Sequence, residues 1–89
     1  MARYETTSAE MAGLASAHAA PEAFFELGMM YASGRSVPAD LVAAHKWLNV
    51  AVARGFKPAV ERRAEIAREM SAAEIAEAQR EARLFLTRH

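Results

Sequence analysis

Apolar positions along this chain recur every three or four residues, and nowhere do they alternate with period two. That spacing places side chains on one face of an α-helix and predicts no strand. Ser8 is suited to cap a helix over 8–19, in which Met11, Leu14, Ala15 and His18 share a face. Pro21 fits the first position of a second helix, where its missing N–H costs nothing. There Ala23, Phe24, Leu27, Gly28 and Tyr31 form the inward stripe, and Gly34 supplies a left-handed C-terminal cap. The segment Arg35–Asp40 reads as a loop and a helix start. Leu41, Ala44, Leu48, Ala51 and Val52 follow as a stripe with Trp47 beside it, and Gly55 ends that helix. Pro58 opens the next, with Val60, Ala64, Ala67 and Met70 expected on its inward face. Ser71-Ala72-Ala73-Glu74 matches a capping box. The last helix presents Ile75, Ala78, Ala82, Phe85 and Leu86 on one side.

The pattern also repeats. A shift of 36 residues carries Ala23 onto Ala59, Phe24 onto Val60, Gly28 onto Ala64 and Tyr31 onto Ala67. A shift of 34 carries Leu41 onto Ile75, Ala44 onto Ala78, Leu48 onto Ala82 and Val52 onto Leu86. One helix pair is thus followed by a looser copy, as suits a terminal repeat with no neighbour on its outer face.

Ala23, Leu27-Gly28, Met30-Tyr31, Gly34, Val37-Pro38, Asp40, Ala44, Trp47, Ala51 and Gly55 stand in a characteristic order. Over residues 21–57 the chain resembles a Sel-like repeat, a tetratricopeptide-like helix pair of about 36 residues. The second copy lacks the Leu-Gly pair, the Val-Pro loop and the aromatic of its second helix. The resemblance implies an all-α fold, a short α-solenoid of antiparallel helical hairpins with four to five helices. One domain is expected over 1–89: an N-terminal helix (8–19), a full repeat (21–55) and a degenerate capping repeat (57–88). Sel-like repeats are mostly adaptors in bacterial and eukaryotic assemblies, so the resemblance implies a protein–protein interaction module. On physical grounds Gly28 would let the two helices of the hairpin touch, and Trp47 would wedge between hairpins.

Composition sharpens the picture. Alanine supplies nearly half of the apolar residues, which favours helix and close approach of helix axes. A chain of 89 residues buries only about 60–65% of its unfolded surface, so its core has little to spare. Eleven basic and eleven acidic residues are interspersed for a net charge of zero, which offers no basic face for nucleic acid. There is no cysteine, hence no disulfide framework and no thiolate metal site. Met1–Ala20 carries Glu5 and Glu10 and lacks the roughly 7–15-residue apolar centre of a secretory signal. No stretch approaches the roughly 18 apolar residues of a membrane span. The expected location is cytoplasmic.

Candidate chemistry is sparse. His18, His45 and His89 lie in three different segments, with no pair at the i, i+4 spacing that offers two imidazoles to one zinc. Each is expected at a solvated or boundary position. Ser8, Ser33, Ser36 and Ser71 read as cap or loop residues, and none occupies a nucleophile elbow. Glu61, Glu65, Glu69, Glu74, Glu77 and Glu81 interleave with arginines, the pattern of a solvated helix face. No catalytic residues, cofactor or metal are expected, and an enzyme is a distant third reading.

The apolar residues left over point to a surface. If Phe24, Leu27 and Tyr31 face the hairpin core, then Phe25 and Met29 point about 100° away. With Glu22 and Ala32 they form a second stripe on the helix that opens the repeat. By resemblance to tetratricopeptide-like solenoids, first helices line the concave surface where partner chains dock. Glu22, Phe25, Met29 and Ala32 are therefore the expected partner-binding residues, since methionine adapts and phenylalanine anchors. Two alternatives use the same stripe. The N-terminal helix could fold back and cover it, or a homodimer could bury it in a purely structural, self-assembling module.

Overall fold

A computed structural model describes residues 19–88, which form four α-helices and, among the described residues, no strand. The fold is all-α. In chain order the helices are α1 (Pro21–Ser33), α2 (Leu41–Ala53), α3 (Pro58–Ala67) and α4 (Ala72–Arg88). The helix expected over 8–19 lies outside the described residues up to position 18. Ala19 is a bend, half-buried against the core.

Local chemistry fixes the helix ends. Pro21 and Pro58 occupy the first turns of α1 and α3. Gly34, at φ 75°, closes α1 by donating its N–H to the Met30 carbonyl at 2.9 Å, a backbone conformation any other residue adopts at a cost. The Asp40 N–H then returns to the Tyr31 carbonyl at 3.0 Å, while the Asp40 Oδ1 accepts from the Ala43 N–H at 3.1 Å and caps α2. After α2, Gly55 at φ 98° lets the Phe56 N–H reach back to the Ala51 carbonyl at 2.9 Å. The Ser71 box forms in both directions. Glu74 Oε1 accepts from the Ser71 N–H at 2.8 Å, and the Glu74 N–H donates to Ser71 Oγ at 3.1 Å.

Packing is organised around α2. Ala44, His45, Trp47, Leu48, Val50 and Ala51 are all buried, which leaves little of its circumference for water. Pairing across α1 and α2 is antiparallel: Tyr31 meets Asp40 at one end, Gly28 meets Ala44 and Leu48 in the middle, and Phe24 meets Trp47 further on. A Cβ added at Gly28 would stand 2.8 Å from Leu48 Cγ and 3.1 Å from the Ala44 carbonyl oxygen. That is the close helix contact expected of this glycine. Trp47 lies between α1 and α4, stacked on Phe24 (6.1 Å between ring centroids, 11° between planes) and edge-on to Phe85 at 5.1 Å. Three aromatic rings thus meet here, Phe24 and Trp47 buried and Phe85 half-buried.

The second helix pair departs from expectation. In α4, Ala78 and Ala82 are buried and Ile75, Phe85 and Leu86 half-buried, so the expected stripe faces inward. At α3 only half of it does. Ala67 and Met70 are half-buried as expected, whereas Val60 is 43% exposed and Ala64 is exposed, and Ala59 (fully buried), Arg63 and Ile66 (half-buried) face inward in their place. Furthermore, α3 and α4 each pack on α2 and make no extensive contact with each other. The second pair is splayed across α2 instead of closed on itself.

Candidate functional site

The stripe Glu22, Phe25, Met29 and Ala32 on α1 is not one continuous free surface. Glu22 is exposed. Phe25 is half-buried, with its ring 5.0 Å from that of Phe56 at an interplanar angle of 53°. The turn between α2 and α3 therefore covers Phe25, and α1 is pinned there to the start of α3. Met29 and Ala32, one and two turns further on, are half-buried and stand at an opening.

That opening is a groove between α1 and α3 of about 270 Å³. Met29, Ala32 and Ser33 line it from α1, Leu41 from the start of α2, and Arg62, Glu65, Ile66 and Glu69 from α3 and the residues just after it. Both α1 and α3 run antiparallel to α2, so the groove lies between two parallel helices with α2 beneath. Its apolar part is Met29, Ala32, Leu41 and Ile66. Arg62 Nη1 donates to Glu65 Oε1 at 3.1 Å, which leaves Glu69 as the rim charge without an ion pair to a described residue. The pair itself is exposed and contributes little to stability. Its consequence is an acidic excess beside apolar side chains.

Sequence reasoning missed the α3 half of this groove. Reading Val60 and Ala64 as inward left Ile66 unassigned, and the signal that could have found it was size: Ile66 is the one large apolar residue in the second half of α3.

A second recess, of about 300 Å³, lies at α4, lined by Lys46, Glu81, Leu84, Phe85 and Arg88. The Lys46 ammonium sits 4.3 Å above the Trp47 ring and 4.0 Å from the Glu81 carboxylate. Lys46 thus covers the edge of the aromatic cluster, where a cation over an indole face is worth about 0.5–1 kcal/mol.

His45 is the other correction. Expected at a solvated or boundary position, it is only 3% exposed, and its Nδ1 has no hydrogen-bond partner among the described residues. Burial holds its pKa below the ordinary value of 6.5, and the Arg63 guanidinium on α3 depresses it further. Contact with its own backbone, the smallest influence, acts the other way. Arg63 is held in place by Asn49, one turn beyond His45 on α2, whose Oδ1 accepts from Arg63 Nη1 at 2.5 Å. His18 and His89 lie outside the described residues. Among the described residues, no three His, Asp or Glu side chains gather where they could share a metal ion, and no helix is long and apolar enough to cross a membrane.

Compared with known protein families, curated proteins and solved structures, the chain matches none of them.

Proposed function

We propose that this chain is a protein–protein interaction module, built as a Sel-like, tetratricopeptide-like repeat in a short α-solenoid. It binds a segment of a partner chain in the groove between α1 and α3. The observation that carries this reading is the groove itself: Met29, Ala32, Leu41 and Ile66 form an apolar strip between two parallel helices, open to solvent and edged by charge. Its volume suits one large apolar side chain, and Glu69, which has no ion pair to a described residue, favours a basic residue beside that anchor. Glu22 and Phe25 play lesser parts, Glu22 at the far end of α1 and Phe25 as a support held by Phe56. No catalysis, cofactor, nucleic acid or membrane enters this reading, and the cytoplasm is its proposed location.

The test begins with affinity capture from the native cell using wild type and Met29→Lys. The captured partner is then purified and its binding measured by calorimetry. A folded Met29→Lys protein should bind at least about tenfold more weakly, the equivalent of one desolvated apolar contact. Wild-type affinity in both Met29→Lys and Ile66→Lys would reject the groove as the site. A second reading, a homodimer, draws on Leu84, which is 49% exposed beside the recess at α4. Light scattering distinguishes it, because a monomeric mass removes the homodimer and leaves the partner-binding groove standing.

A further inference from the structure

We propose that His45 is a proton-operated latch between α2 and α3: protonation of its ring loosens α3 and takes apart one wall of the groove. Three observations converge on it.

The first is the position of the ring. His45 is nearly completely buried on α2, and its Nδ1 has no partner among the described residues. A neutral imidazole tolerates such a place, whereas an imidazolium there would hold a charge with a donor left unsatisfied.

The second is the surrounding charge. Arg63 of α3 is the charge that acts on His45, and Asn49 fixes its direction. The other charges on helices packed against α2 are engaged elsewhere or face water: Glu26 of α1 with Arg35, Arg62 of α3 with Glu65, and Glu81 of α4 with Lys46. Glu22, Glu61, Arg68, Glu69, Glu77, Arg80, Arg83 and Arg88 are exposed, and Glu74 caps α4. Among the described residues no carboxylate is paired with the ring, so a proton on His45 adds a like charge beside Arg63 inside the α2–α3 contact.

The third is the weak attachment of α3. It packs extensively on α2 alone, and Ala59 is its one fully buried residue. At its N-terminal end the turn is held by Phe56 against Phe25, and Gly55 at φ 98° precedes it. The end carrying Arg63 and Ile66 is held by the Arg63–Asn49 hydrogen bond and the half-buried Ile66, with no ring contact among the described residues. Ten residues are too few for a stable helix in isolation, so α3 loses its own hydrogen bonds once it leaves α2.

The sign follows from linkage. Above about pH 6.5 the ring is neutral whether α3 is docked or released, and pH has no effect through this group. Below it the released state takes up a proton that the docked state refuses, so docking weakens as pH falls. It stops weakening once pH drops through the lowered pKa of the docked state. Inside that window the released population grows by about tenfold per pH unit.

Hydrogen exchange of the full chain, corrected for intrinsic rates, tests the latch between about pH 7.5 and about pH 5. Residues 62–67 should lose protection as pH falls, ahead of α1 and α4, and in step with the His45 ring signal followed by NMR. His45→Phe, which keeps a flat ring and cannot titrate, should make protection of α3 independent of pH over this range. Unchanged protection in wild type, or the same loss in His45→Phe, would overturn the proposal. Should His45→Phe fail to fold, Arg63→Gln decides. It should raise the pH at which the docked His45 ring titrates and shrink the pH-dependent loss of α3 protection, and a ring shift with an undiminished loss would overturn the latch as well.

Discussion

Gly28→Ala sets two effects against each other, and the structure says which wins. In an ordinary helix interior the change stabilises, since alanine is favoured over glycine by about 0.8–1.0 kcal/mol. Here the new methyl would stand 2.8 Å from Leu48 Cγ, 2.9 Å from Leu48 Cδ2 and 3.1 Å from the Ala44 carbonyl oxygen. Leu48 is fully buried and meets the new methyl with its branch carbon Cγ, and the Ala44 oxygen belongs to the backbone of α2 and moves only with the helix. Overpacking of this kind costs about 1–3 kcal/mol. The balance is a net loss of about 1 kcal/mol, against a total stability of roughly 4–13 kcal/mol for a chain of this size. Melting should fall by about 4–8 °C. Urea unfolding followed by far-UV circular dichroism reads the difference directly, provided the slope is unchanged. The same substitution in a Leu48→Ala background supplies the control, because the methyl then enters vacated space and its cost should fall to zero or reverse. A higher melting temperature for Gly28→Ala, or an equal cost in both backgrounds, would refute the close contact of α1 and α2 at this position.

Trp47→Ala removes the ring shared by Phe24 and Phe85 and should cost about 3–5 kcal/mol. Trp47 is the sole tryptophan, so circular dichroism, not fluorescence, must follow it, and a melting temperature within a few degrees of wild type would count against the wedge. Ser71→Ala removes the hydroxyl that accepts from the Glu74 N–H, keeps the backbone N–H that donates to Glu74 Oε1, and should cost about 1 kcal/mol in urea unfolding. Glu74→Gln, which retains an acceptor oxygen, should cost less, and an equal loss would show that the charge rather than the hydrogen bond matters.

The helix ends were legible in the sequence because each is decided by a few neighbouring residues. Pro21, Gly34, Asp40, Pro58 and the Ser71–Glu74 box act within one turn, and the structure places each where its chemistry requires. Contacts that rest on an unusual residue were legible too, as with Gly28 against α2 and Trp47 between α1 and α4. The inward face of α3 was legible only in part. Ala59, Ala64 and Ala67 offer nearly equal claims to burial by spacing alone, and packing against α2 decides among them. His45 failed for a related reason. A lone histidine reads as a boundary residue until three helices are known to surround the segment that carries it. The candidate groove was half visible: Met29 and Ala32 stood out as apolar residues beyond the core stripe, but their counterparts on α3 depend on the register that spacing left open.

The enclosure of α2 on three sides has a consequence for how this chain can drift. A change of side-chain size almost anywhere on Leu41–Ala53 disturbs two junctions at once, so few substitutions there are silent. Residues of α3 answer to one neighbour, and most of them answer to none. New binding preferences are therefore easiest to acquire at Arg62, Glu65 and Glu69, where the wall of the groove can be rewritten without asking the rest of the molecule to repack.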